Sequence, residues 1–77
     1  MRVLTAKIVS KYILGLSCFY HDSAVALIKN GDIVVAVQEE RFSRKKHDSR
    51  FPINAIRYTL KSQNIDLRDI EMIVYYE

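Results

Sequence analysis

The stretch Phe19-Tyr20-His21-Asp22-Ser23-Ala24 sets a histidine and an aspartate side by side between two apolar runs. An imidazole titrates near neutral pH, so His21 could take a proton from a hydroxyl as that hydroxyl attacks an electrophile. Asp22 could orient it, although adjacent residues in extended backbone often point apart. The competing reading is a polar corner in which the histidine only satisfies a turn, and on these residues alone that reading is the default. Ser17 and Ser23 could donate to a phosphate but carry almost no specificity. Cys18, at a strand end with no base beside it, reads as a small buried residue rather than a nucleophile.

A second group of candidates lies in Arg41–Arg50, "RFSRKKHDSR", where Arg41, Arg44, Lys45, Lys46 and Arg50 outnumber Asp48. The plain reading is a solvated loop after a strand. The sharper one is an anion-binding loop for phosphate or nucleic acid, with Lys46-His47 as the contact. A nucleic-acid module is the weaker version, because only Phe42 and Phe51 interleave with the basic residues and no binding motif is present. Glu39-Glu40 form an apparent carboxylate pair. On a strand they would face opposite ways, leaving one to neutralise the basic run.

These residues need a scaffold, and the pattern around them supplies one. Tyr12–Cys18 and Ser23–Lys29 read as buried strands. Asn30-Gly31 between Ser23–Lys29 and Asp32–Glu40 is a strong hairpin signal, because a type I′ turn needs positive φ at both central residues. The predicted arrangement is a three-stranded antiparallel meander. The runs "AVALI" and "IVVAV" are nearly continuous in apolar character, which predicts a sheet covered on both faces. Gly15 inside the first strand suggests close approach by a ligand or another chain, or merely tolerated packing. Pro52 at a first helical position opens a helix over 52–64, with Ile53, Ile56 and Leu60 as its apolar stripe and Asn64 as a left-handed cap. A short turn at "DLRD" and a last strand at "IEMIVYYE" complete the order. The predicted class is α/β: a meander followed by helix and strand, the first part of a ribonuclease-H-like layout, incomplete as it stands.

The chain has 77 residues, 49% hydrophobic and 27% charged, which suits one small ordered domain. A net charge of +3 is mildly basic. One cysteine rules out an internal disulfide, and no Cys/His spacing points to structural zinc. No apolar run is long enough to span a bilayer and no cleavage site follows the N-terminus, so no membrane association and a cytoplasmic location are expected.

The elements "ILG-x-S", "FYHDSA", "NG-x-I-V-x-A", "EERF-x-R-x-KH" and "RFP" occur here in a fixed order. Each is weak alone, and together they are specific. From Tyr12 to the last strand the chain resembles the amino-terminal segment of the carbamoyltransferase family, which includes nodulation and antibiotic-tailoring O-carbamoyltransferases. Residues 1–11 do not match and read as an extension. The resemblance implies an actin- and sugar-kinase-like fold, in a variant related to the tRNA threonylcarbamoyl-transfer enzymes. It implies a second, carboxy-terminal domain that makes carbamoyl-adenylate from carbamoyl phosphate and ATP, and an amino-terminal domain that moves the carbamoyl group to a substrate hydroxyl. The partners expected are therefore a small-molecule donor and a hydroxyl acceptor. His21 matches the family's catalytic base, and Lys46 matches a contact to the anionic donor or nucleotide. The implied divalent metal takes its ligands from a later histidine-containing helix and distant aspartates, positions absent here. The expectation is thus a fragment of an O-carbamoyltransferase, inactive as an isolated chain.

Overall fold

A computed structural model describes residues 11–19 and 22–76. His21 and nearly all of the extension lie outside them. The apolar runs form β1 (Tyr12–Ser17), β2 (Ala24–Lys29), β3 (Asp32–Gln38) and β4 (Ile70–Tyr76). The sheet is four-stranded and mixed, in the order β3-β2-β1-β4. β1 pairs antiparallel with β2, β2 antiparallel with β3, and β4 parallel with β1. The meander is thus as the sequence predicts, and the parallel strand needs a long crossover, which a helix supplies. Asn30 and Gly31 sit at φ 51° and 92°, the two positive values that a type I′ hairpin requires. No helix among the described residues is long and apolar enough to cross a membrane.

The crossover holds α1 (Glu40–Ser43), α2 (Ile53–Ser62) and a 3₁₀ turn at Leu67–Asp69. β3 therefore stops before the glutamate pair, and Glu39-Glu40 belong to the start of α1 rather than to a strand. Pro52 is the residue before the first helical turn, one position earlier than the sequence suggests. The helix ends where expected: Asn64 takes φ 54°, and the Ile65 N–H reaches the Leu60 carbonyl at 3.0 Å, a Schellman closure.

Tyr12, Leu14, Leu16, Val25 and Leu27 share one face of the sheet and pack under Ala55 and Ile56 of α2. The buried stripe of α2 is Ala55, Ile56 and Thr59, with Leu60 partly covered, whereas Ile53 points out at 43% exposure. A spacing of three and four leaves two possible stripes. Packing chose the one whose small residues let the helix approach the sheet.

The second face corrects the expectation of a sheet covered on both sides. Among the described residues it carries no helix. Gly15, Ser17, Ala24, Ala26 and Ala36 floor an open groove of about 530 Å³ rimmed by Gln38 and Arg41. A Cβ added to Gly15 would meet the Ala26 carbonyl oxygen at 3.7 Å, ordinary contact, so among the described residues the glycine answers to no close approach. β4 is an edge strand, and Met72, Ile73, Val74 and Tyr75 each stay near half exposed. Alternation sends Met72 and Val74 to one face and Ile73 and Tyr75 to the other, the signature of a strand suited to burial inside a larger parallel sheet.

Candidate functional site

Antiparallel pairing brings the C-terminal end of β1, the N-terminal end of β2 and the C-terminal end of β3 to one edge, where Ser17 faces Ala24 and Ala24 faces Gln38. The loop that carries Asp22 leaves from the first two. The basic run leaves from the third, by way of α1. Both candidate segments therefore emerge side by side.

They are also sewn together. The Ser23 N–H donates to the Asp48 carbonyl at 2.7 Å, the Phe19 N–H to the Ser49 carbonyl at 2.6 Å, and the Ser23 hydroxyl to the Arg50 carbonyl. Asp22 Oδ2 lies 3.2 Å from His47 Nδ1, a contact across 25 residues. The partner that the sequence offered to His21 is thus engaged with His47. His47 holds φ 55°, which is uncommon for a side-chain-bearing residue. Its N–H donates to Glu40 Oε2 at 2.8 Å, and that bond anchors the turn.

Asp48 is the buried clamp of this turn, with its side chain fully enclosed while that of Arg50 is 64% exposed. Arg50 donates its N–H and Nε to Oδ1, each at 3.0 Å, and Nη2 to Oδ2 at 2.8 Å. Those bonds, led by the Arg50 side chain and its backbone N–H, hold the Asp48 carboxyl well below the ordinary value of 3.8. The same pairing raises the Arg50 guanidinium above its own ordinary value.

Glu39, 3% exposed, performs a different task. Its carboxylate accepts from the Ala55 N–H at 2.8 Å and from Asn54 Nδ2 at 2.7 Å. Pro52 has no side chain that can cap α2, so a glutamate from the start of α1 satisfies an orphan amide of the first turn and places negative charge at the helix N-terminus. Glu39→Ala is expected to lose about 1–3 kcal/mol, the cost of leaving buried donors unpaired. Urea denaturation of the two proteins measures it.

Lys46 is exposed and, with Arg44 and Glu40, lines a hollow of about 350 Å³ beside the His47 turn. Among the described residues the ion pairs are His47–Asp22, Arg50–Asp48 and Arg68–Asp66, and none uses Arg44, Lys45 or Lys46. The turn therefore presents cationic heads that are not committed to protein carboxylates, a surface suited to an anion. Cys18 is buried and free, as its sequence context suggests.

Sequence reasoning missed Asp48 as a clamp and Glu39 as a cap. Asp48 and Arg50 are two residues apart, and that spacing was the available signal. Nothing local announces the reach of Glu39 to α2.

Comparison with known proteins gives the family of this α/β chain. Residues 12–77 match the model of the carbamoyltransferase N-terminus, and the chain belongs to that family. It is 58% identical over 66 residues to an uncharacterized protein of Synechocystis sp., covering 86% of this chain and 11% of that one. It is 41% identical over 58 residues to the nodulation protein NolNO of Sinorhizobium fredii, covering 75% of this chain and 8% of NolNO. An uncharacterized 19.2 kDa protein of Rhizobium etli is 41% identical over 58 residues, with 34% of its length covered. The chain thus spans about a tenth of the first two relatives.

Proposed function

We propose that this chain supplies the first loops of an O-carbamoyltransferase whose fold is ribonuclease-H-like. In this reading His21 takes the proton of a substrate hydroxyl while the hydroxyl oxygen bonds to the carbamoyl carbon of carbamoyl-adenylate. The bond from that carbon to the phosphate oxygen breaks, and AMP leaves. ATP and carbamoyl phosphate supply the activated anhydride beforehand, in a part of the protein for which this chain has no phosphate-binding loop. The divalent metal that the resemblance implies has its ligands on segments this chain does not carry, so no step here runs through it. Lys46 and Arg44 face the anionic half of the donor as free cations.

The observation that carries the reading is the stitching of the two loops. A base on one and cations on the other serve a single substrate only if their separation is fixed. The contacts of Ser23 with Asp48 and Arg50, and of Asp22 with His47, tie the segment that follows His21 to the basic turn, which supports this reading. The exposed apolar faces of β4 support the companion proposal that the 77-residue chain alone has no transferase activity.

Lys46 gives the test of the anion half. In a full-length relative, Lys46→Ala is expected to raise KM for the carbamoyl donor about 10-fold while kcat changes little, the pattern of lost uniform binding. Steady-state kinetics with varied donor would show it, and an unchanged KM would remove Lys46 from the role.

A further inference from the structure

Asp22, Glu40 and His47 come from three segments: the loop before β2, the first residue of α1, and the basic turn. One donor atom from each lies within 4.8 Å of the other two. We propose that these three residues bind a divalent first-row transition metal, of which zinc is the type. The assignment uses only the side chains of this chain and does not depend on the carbamoyl-transfer reading.

The geometry argues for it first. Ligand bonds of about 2.0–2.1 Å in a tetrahedral shell put neighbouring donors about 3.3 Å apart. His47 Nδ1 and Asp22 Oδ2 stand 3.2 Å apart already. Glu40 accepts the His47 N–H through Oε2, which leaves its other oxygen for an ion. That bond ties one prospective ligand to the backbone of another. Asp22 is held from the other side, since the next residue, Ser23, is buried and anchored through both its N–H and its hydroxyl. Bonds to His47 thus hold Asp22 and Glu40 beside it before any ion arrives, which lowers the ordering cost of binding.

The donor types argue second. An imidazole with two carboxylates suits zinc and its first-row neighbours, whereas magnesium and calcium prefer all-oxygen shells. Two carboxylates neutralise a dication. Glu40 also lines the hollow with Arg44 and Lys46, so an anionic ligand held there would lie near both the ion and the cations.

The test is titration of the 77-residue chain with zinc chloride, followed by calorimetry, and with cobalt(II), followed by its visible absorption. One ion per chain is expected, with tetrahedral-type cobalt bands. Loss of a group that only holds a ligand in place weakens metal sites about 10–100-fold, so removal of a ligand should weaken this one at least about 10-fold. That loss is expected in His47→Ala and in the near-isosteric Glu40→Gln. Asp32→Asn, at the hairpin end of the sheet, should bind as the parent does. Circular dichroism of each variant separates a lost ligand from a lost fold. Absence of saturable binding by the parent chain overturns the proposal, as does binding that survives His47→Ala. Binding that persists in the urea-unfolded chain overturns it too.

Discussion

Replacing His21 by alanine in a full-length relative is expected to lower the rate of carbamoyl transfer by about 10²–10⁴-fold, the range that a positioned general base contributes. The effect should fall on kcat, because the proton moves only as the new C–O bond forms. Formation of carbamoyl-adenylate should continue, since it needs no base on this loop. The acidic limb of the pH–rate profile should disappear with the imidazole. His21 precedes Asp22 and Ser23, whose contacts with His47, Asp48 and Arg50 anchor the end of that loop. A turnover rate equal to the parent's would remove His21 from the mechanism.

Asp48→Ala should be the most damaging change among the described residues of the site. It removes the enclosed carboxylate on which the Arg50 side chain and backbone converge. The turn that carries Lys46 and His47 would then lose its fixed relation to the loop of Asp22. Misplacement on the order of 1 Å costs roughly 10²-fold in rate, so a loss near that size is expected in transfer. The same carboxylate gives stability a pH signature. Its folded-state value is depressed below the ordinary 3.8, so its contribution is fully present above that value and is lost as pH falls through the acid range below it. Parent stability should therefore decline below about pH 4, and Asp48→Ala should decline less over the same interval. Urea melts at neutral and acid pH compare the two slopes. Parallel slopes would show that Asp48 is not the titrating group.

Much of the fold was legible because its signals are local. Asn30-Gly31 can hardly be anything but a tight hairpin, and Asn64 takes the left-handed cap that its type suits. The strands followed from apolar runs, although those runs could not say which face would be covered. Alanines at 24, 26 and 36 read as apolar, yet they floor the open groove because the one long helix among the described residues lies on the other side. The glutamate pair misled for a related reason. A strand pattern continues smoothly into Glu39, while the demand that ends it comes from the orphan amide of Ala55, 16 residues away. Of the site, the sequence supplied the ingredients: a histidine loop and a basic run. It could not supply their meeting. The contact of Asp22 with His47 depends on strand register bringing 25 residues of chain back on themselves. No spacing in the sequence encodes that distance.

We propose that the histidine loop performs the transfer step. The most direct measurement is a single-turnover experiment in which a full-length relative, preloaded with labelled carbamoyl-adenylate, is mixed with a hydroxyl acceptor that it turns over. Comparison of the parent with His21→Ala isolates transfer from activation. The variant is expected to hold the adenylate but to pass the label to the acceptor about 10²–10⁴-fold more slowly. Transfer at the parental rate by the variant would contradict it.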